Sequence, residues 1–498
     1  MTGWQLCAYA YFRLWAFVDF SLPTGSCVLV TDVSVVVPAH NRPKELVRTL
    51  LSLTRQTLPT TDFEVIVVDD GSREDARALV RESADALSSL DIRVVRNEKA
   101  AGASGARNQG ARLATADLLV FLDVDCLAHP DMLAVHLATQ GARRVAASGY
   151  THGRELTPET WELRIGGDWN WESAEEVFAK AATVDLLHDP LTELLAEPRP
   201  SDWAFFWTCN VSVPRDAFEA VGGFDESFDV KGVEDVELGL RLSLAGLPTV
   251  FLPDSRALHQ PHPRDRHTEL LRDRRNDLVL LRRHPTLEVE AVCAFDIVNA
   301  RAALPALTSF RDRLAPEAVD TAHLSALPGA SEALAGAEST LLIGAADAWP
   351  TSLPAPTLTV GPTADEVEGR SYRLLGTRLP FEDGQVDVAV LTDYWRVLPE
   401  ATACRVIAEA LRCARRVLVL SDAATAPPAV PDPELAAALE GAGTPFWTHT
   451  IALRREFHQF RFTALDRPAG GPDAAGASRA FEVEPAAWPL AHLSDITH

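Results

Sequence analysis

The chain has 498 residues, more than one ordinary domain holds, and length alone points to roughly two to four domains. Hydrophobic residues make up 47% and charged residues 23%, the composition of a globular protein. The formal charge of −24 excludes non-specific binding to nucleic acid or anionic lipid, because the long-range field repels phosphates; any bound phosphate must be held locally, by a metal ion, an arginine or helix amides.

The first 30 residues differ in character from the rest of the chain. Trp4 to Phe20 is aromatic-rich, but Arg13 and Asp19 interrupt it. It is short for a membrane span and lacks the basic start of a signal peptide, so 1–30 is expected to be a poorly ordered extension, with a peripheral membrane or partner contact as the alternative. The seven cysteines are scattered and form no CxxC pair, which indicates neither a disulfide framework nor a zinc site and fits a reducing cytoplasm.

From residue 33 onward strands alternate with helices. Val33–Val37 is β-branched and reads as a strand; Pro38 to Arg42 is a turn, and Leu46, Leu50 and Leu53 fall at helical spacing. Phe63–Val68 is a second strand, ending in Asp69-Asp-Gly-Ser72, and Ile92–Val95 a third. Ala103–Leu113 reads as a helix behind a run of small residues. Leu118–Leu122 is an apolar run of the kind buried on both faces, and it leads into Asp123-Val-Asp125. In an extended chain the side chains at i and i+2 share a side, so the two carboxylates are expected to leave the strand together, where a divalent cation or a ligand's donor groups would neutralise them. The alternative is a turn cap and a solvated acid. The pattern predicts a doubly wound sheet, with the polar strand ends converging on one edge.

Four pieces, Val33-Ser-Val-Val-Val-Pro-Ala-His-Asn-Arg42, Val67-Val-Asp-Asp-Gly-Ser72, Gly105-Ala-Arg-Asn108 and Phe121-Leu-Asp-Val-Asp125, resemble in order and spacing the inverting family-2 glycosyltransferases of GT-A fold. Phe206-Trp-Thr-Cys-Asn-Val-Ser212, Gly222-Gly-Phe-Asp225 and Gly232-Val-Glu-Asp-Val-Glu-Leu-Gly239 resemble that family's acceptor-side half. The resemblance implies a mixed α/β sheet and transfer of a sugar from a nucleotide-diphosphate donor, UDP-type before dTDP or GDP, to a small molecule, peptide or glycan precursor. It implies that Pro38, His40 and Asp70 line the nucleoside pocket, that Arg107 contacts base or phosphate, that Asp123 lies near ribose and metal, and that Asp125 binds Mn²⁺ or Mg²⁺ directly. Asp70 has the alternative of an Asx-turn, and Arg107 that of a surface salt bridge.

Inversion needs a base opposite the leaving group. The resemblance favours Asp235, with Glu234 as acceptor contact or understudy; both also fit ordinary helix capping, since Val236, Leu240 and Leu244 share a helix face behind them. His259, after a strand at Thr249–Leu252, is a candidate second metal ligand, with His262 behind it in rank and a solvated histidine as the alternative. Among Trp161, Trp169, Trp171, Trp203 and Trp207, the last two flank the acceptor-side motif and are the candidates for stacking on the acceptor; core packing competes.

The second half reads as a charged helix from His267 to Arg283, a helical stretch to about Leu324, and an Ala-rich α/β segment. That segment has strands near Ser339–Gly344, Leu379–Leu391 and Arg416–Leu420 and a helix at Thr402–Leu411. It resembles class I methyltransferases that use S-adenosylmethionine. Gly344-Ala-Ala-Asp-Ala lacks their glycines, and Leu358-Thr-Val-Gly-Pro362 lacks their acid, so the cofactor is not expected to bind. The expected organisation is an extension (1–30), a GT-A domain (31–285), a helical linker (286–325), a second Rossmann-like domain (326–467) and a loose Gly/Ala/Pro-rich tail (468–498). A homodimer through the second domain and the lack of an integral span complete the expectations. The rival functions are a bifunctional glycosyltransferase/methyltransferase and a non-catalytic sugar-nucleotide scaffold.

Overall fold

The apolar runs Val33–Ala39 (β1), Phe63–Asp69 (β2) and Leu118–Leu122 (β4) are almost wholly buried, as strands covered on both faces must be. The structure, a computed structural model, describes residues 31–153, 189–228, 232–262, 266–313, 328–344, 349–392, 400–421, 460–464 and 479–485, with a few single residues between them. The extension 1–30 and Trp161, Trp169 and Trp171 lie outside the described residues. Asp91–Arg96 (β3), Cys126–Ala128 (β5), Ala146–His152 (β6), Asn210–Pro214 (β7) and Thr249–His259 (β8) complete the first sheet. Its eight strands run in the order β3-β2-β1-β4-β7-β6-β8-β5.

Alternation along β1 sorts its side chains into two cores. Val33, Val35 and Val37 pack with Leu46, Leu50 and Leu53 of α1 (Pro43–Leu53), while Val36 packs with Ala106 and Ala111 of α3 (Gly102–Leu113). Between them in sequence lies α2 (Ala76–Glu82), whose Ala76 joins the α1 side. The sheet is therefore wound on both faces, as the alternating pattern predicts. It is not parallel throughout. The first four strands in the order are parallel; β7 then runs antiparallel to β4 and to β6, and β5 antiparallel to β8.

Two features of this sheet escape the sequence pattern. The strand read as Thr249–Leu252 continues to His259, carrying Pro253 and Asp254 past a register shift between Gly149 and Tyr150 of β6. The three-residue β5 directly follows the two aspartates and pairs Cys126 with His259.

Beyond β8 come two helices, α5 (Arg266–Arg283) and α6 (Leu287–Arg313), and then a second sheet. α6 breaks at Asp296 (φ 66°), whose carboxylate restarts it by accepting from Val298 N and Asn299 N, both at 2.9 Å. Among the described residues, Leu287–Asp312 alone has the length and apolarity of a membrane span; here Val289, Ala303 and Leu307 lie in the core. The second sheet contains Thr340–Ile343 (β9), Leu358–Val360 (β10), Ser371–Tyr372 (β11), Val386–Leu391 (β12), Ala414–Ser421 (β13), Phe460–Ala464 (β14) and Arg479–Pro485 (β15). Its order is β11-β10-β9-β12-β13-β15-β14, with β15 antiparallel to both neighbours. β15 lies inside the stretch expected to be loose, where small residues around it mask a short strand that its partners hold in place.

The expected boundary at residue 285 falls within a continuous apolar core. One cluster runs from Trp203, Phe205 and Val236 through Leu280 and Leu281 of α5 and Val289 and Leu307 of α6 to Leu341 and Ala389 in the second sheet. α5, and α6 in the expected linker, thus both contribute to one core with the second sheet.

Candidate active site

At the ends of β1 and β2 adjacent side chains diverge, because successive strand residues face opposite ways. Asp69 turns inward and accepts from Ser72 N (2.9 Å), Ala76 N (3.1 Å) and Arg96 (2.5 Å). Burial would raise its carboxyl, but these donors outweigh it and hold it below the usual range. Asp70 turns towards α3 and accepts from Asn97 Nδ2 (2.8 Å), Ala101 N (2.8 Å) and Gly102 N (2.9 Å). The Asx-turn considered for Asp70 therefore belongs to Asp69, and Asp70 anchors the start of α3. His40 is exposed; its Nδ1 donates to the Asp70 carbonyl (2.7 Å) and its Nε2 accepts from Asn41 (2.8 Å). Pro38, beside it, is partly buried.

The expected pairing of Asp123 and Asp125 on one side does not occur. β4 ends at Leu122, and residues 123–125 form a turn closed by Cys126 N donating to Asp123 O at 2.9 Å. The i, i+2 rule holds only while the chain stays extended, so the two carboxylates part. Asp123 goes to Arg107 (2.7 Å), and Asp125 goes to the end of β8.

Arg107 is a further correction. Its side chain is 1% exposed and bridges Asp123 to Glu234, at 2.7 and 2.9 Å, lying over the Phe224 ring at 5.4 Å. It is neither at the surface nor presented to a ligand. Burial alone would lower its pKa; Asp123 and then Glu234 outweigh burial and hold the guanidinium above its ordinary value.

Asp125 faces two imidazoles. Its Oδ1 lies 3.6 Å from His259 Nε2 and its Oδ2 3.5 Å from His262 Nε2. Each of the three offers one donor atom, and these atoms lie within 4.8 Å of one another. Asp125 is 4% exposed, and its Oδ1 accepts no hydrogen bond. A buried carboxylate oxygen without a donor, beside two imidazole nitrogens, fits a divalent cation. The Cys126–His259 pair in the β5–β8 ladder makes the site, and Gln260 N pins the segment after β8 by donating to Asp125 O at 2.7 Å. Asp123 is not part of this cluster; His262, ranked second from sequence, is.

The acidic pair opens α4 (Glu234–Leu244). Glu234 is 2% exposed, with Oε1 on Arg107 (2.9 Å) and Oε2 on Gly232 N (2.5 Å). Such a group is sealed from an acceptor, which corrects the contact expected of it. Asp235 is partly exposed; Oδ2 accepts from Thr208 N (3.2 Å) and Thr208 Oγ1 (3.4 Å), and Oδ1 from Val236 N (2.9 Å). Burial, reinforced by the Glu234 charge and only partly offset by Arg107, raises its pKa to about 6. Thr208 carries no signal of this role in the sequence beyond its place inside the acceptor-side motif.

Trp203 is 3% exposed in the shared core, and a Cβ on Gly239 of α4 would meet its carbonyl oxygen at 2.3 Å. No face remains for an acceptor, so core packing wins there. Trp207 is partly exposed and tilts against Phe205, ring centroids 5.2 Å apart.

Comparison with known proteins assigns this region. Residues 34–221 match the family model described as glycosyl transferase family 2, and residues 169–306 that of glycosyl transferase family group 2. These matches place a family 2 glycosyltransferase region on the first, mixed α/β sheet. Validoxylamine A glucosyltransferase of Streptomyces hygroscopicus subsp. jinggangensis (strain 5008) is 36% identical over 283 residues, 53% of this chain and 63% of that protein. The uncharacterized glycosyltransferase YfnE of Bacillus subtilis (strain 168) is 31% identical over 258 residues, 46% of this chain and 65% of its own. The chain thus spans a little under two thirds of these relatives. Among solved structures, mannosyltransferase PcManGT from Pyrobaculum calidifontis, in complex with GDP-Man and Mn²⁺, aligns with a TM-score of 0.40 at 19% identity, over 57% of this chain and 76% of that one.

Proposed function

We propose that the protein is a metal-dependent inverting glycosyltransferase that moves a sugar from a UDP-type donor to a hydroxyl or amine acceptor. The observation that carries this reading is the Asp125–His259–His262 cluster at the same strand-end edge as Asp235, a partly exposed carboxylate with its pKa near 6. The family match over 34–221 and the 36% identity to a glucosyltransferase support it, and the latter favours a glucosyl-type donor and a small polar acceptor.

Asp125, His259 and His262 would hold the cation; two imidazoles and one carboxylate suit Mn²⁺ better than Mg²⁺, which prefers an all-oxygen shell. Bound there, it would supply Lewis-acid neutralisation of the departing nucleoside diphosphate. Partly buried Pro38 and exposed His40, at the neighbouring strand end, line the nucleoside side, with Asp70 fixing the carbonyl that orients His40. Asp235 removes the acceptor proton as the acceptor attacks the anomeric carbon from the face opposite the diphosphate. Thr208 aims its carboxylate, and Arg107 offsets the charges of Asp123 and Glu234 beneath it. Trp207 offers the remaining aromatic surface on the acceptor side. Incubation with UDP-glucose is expected to release UDP, dependent on Mn²⁺ and abolished by EDTA; release unaffected by EDTA would refute the metal-dependent reading.

We further propose that the second sheet belongs to a methyltransferase-like domain that does not use its cofactor. β9 and β12 are parallel neighbours at the centre, and in such sheets ligands bind where the order reverses, beyond the strand ends. Here Gly344 takes φ 85° and its carbonyl accepts from the Thr392 hydroxyl (3.1 Å), and the sequence that follows is Ala-Ala-Asp-Ala rather than a run of glycines. S-adenosylmethionine is therefore expected to give no binding heat in calorimetry. A dissociation constant in the low micromolar range would reverse this and favour the bifunctional protein.

A further inference from the structure

The helix that carries Asp235 starts from a strained turn. Gly232 has φ 121° and Val233 φ 73°. Glycine tolerates a left-handed backbone; a β-branched residue does not, and it persists there only where its surroundings over-determine it. Val233 is the residue before Glu234 and offers the helix no side-chain cap.

What holds the turn comes largely from α5, far along the chain. Asn276, 4% exposed, donates from Nδ2 to the Gly232 carbonyl at 2.6 Å. A Cβ on Gly232 would meet Asp273 Oδ1 at 2.7 Å, so α5 packs directly on the turn. On the near side, Gly232 N donates to Glu234 Oε2 at 2.5 Å, so Gly232 is gripped at its carbonyl by α5 and at its amide by α4. Further along, His284 meets Glu237 of α4 at 3.0 Å, and Arg283 donates to Ser227 at 2.5 Å and pairs with Asp225.

α5 is in turn fastened to the second half. Arg282 donates to Pro380 O (3.0 Å) and Glu382 (2.6 Å). Glu290, at the start of α6, accepts from Leu375 N (2.8 Å) and Thr377 N (2.7 Å).

We infer that Asn276 is a positioning residue for Asp235: by holding the Gly232 carbonyl it keeps the left-handed Gly232–Val233 turn and so sets the direction in which the first turn of α4 presents the carboxylate. The second half thereby acts on the reaction without touching substrate, as a buttress that fixes α5. This rests on the reading of Asp235 as the base.

The test uses the full chain with UDP-glucose hydrolysis as the assay, UDP with Mn²⁺ as the calorimetric probe, and thermal melting as the control for folding. Asn276→Ala is expected to lower kcat by roughly 10- to 100-fold, the scale on which small misplacements of a reacting group cost rate. KM for UDP-glucose and the affinity for UDP with Mn²⁺ should stay within about twofold, because a positioning defect acts on the transition state. Val233→Asn supplies the readout that a merely structural role would not move, since asparagine accepts the left-handed region. In that background the kcat cost of Asn276→Ala should fall to less than half of its logarithm. If Asn276→Ala does not accumulate folded, Asn276→Ser is read by the same criteria.

An unchanged kcat, a parallel loss of UDP affinity and kcat, or an undiminished cost in the Val233→Asn background each overturns the inference. Asp235→Asn, run alongside, separates the two readings. If it hydrolyses donor normally, the base assignment falls; if it is inactive while Asn276→Ala is fully active, only the positioning role falls.

Discussion

Asp235→Asn is expected to lower kcat at least ~10²-fold, the low end for losing a general base, while leaving donor affinity nearly intact. Asparagine keeps the size of the side chain, and its single amide oxygen can still accept from Val236 N or from Thr208 N, though not from both, but it cannot take a proton. The raised pKa adds a signature in the wild type. As the base must be ionised, kcat/KM should fall as pH drops through about 6, and this limb should vanish from the residual activity of the mutant. Glu234→Gln is the control from the same helix start. Because Glu234 is sealed on Arg107 and Gly232, its loss of charge should appear first as a lower Tm, from leaving a buried guanidinium half-neutralised. If Glu234→Gln abolishes turnover at unchanged Tm while Asp235→Asn stays active, the roles are reversed. If both change only Tm, the base lies elsewhere.

Asp125→Ala should abolish Mn²⁺-dependent UDP binding and turnover together. Asp125 contributes the one carboxylate of the cluster and bridges the two histidines, so nothing remains to bring them onto one ion. Titration of Mn²⁺ in the presence of UDP measures this directly. His262→Ala should weaken Mn²⁺ at least as much as loss of an outer-shell partner does, roughly 10- to 100-fold. Asp123→Asn should leave Mn²⁺ affinity largely in place and reduce Tm, because its partner is Arg107. The opposite pattern, with Asp123→Asn losing the metal and His262→Ala keeping it, would restore the two-aspartate site.

The site residues divide between what pattern can reach and what only contact decides. Asp125, His259 and Asp235 are marked as candidates by the sequence because each stands at an end of a periodic apolar segment, where a polar residue has no core role. Asp123 and Arg107 were legible as important but misplaced. Their identities suit a ligand and a buried ion pair equally well, and the choice depends on a three-residue turn that no periodicity marks. Trp203 departs from the expectation for a similar reason: an indole beside an acceptor-side motif suits a sugar platform or a core, and Gly239 lets α4 close over it.

By itself, then, the sequence determined that strands and helices alternate, that helices cover both faces of the first sheet, and which strand ends carry acids. Those are local facts, carried by side-chain period and turn chemistry over a few residues. The tertiary structure alone decided that Cys126 pairs with His259 and so brings His259 and His262 to Asp125, and that Arg107 joins Asp123 to Glu234, which lies 127 positions beyond Arg107 in the chain. It also decided that α5 and α6 weld the two sheets through one core, with Asn276 reaching the turn before Asp235. The physical reason is that hydrogen bonds and ion pairs between distant segments depend on register and approach angle. Those are fixed only when the apolar faces have found one another, and no short window of sequence contains both partners.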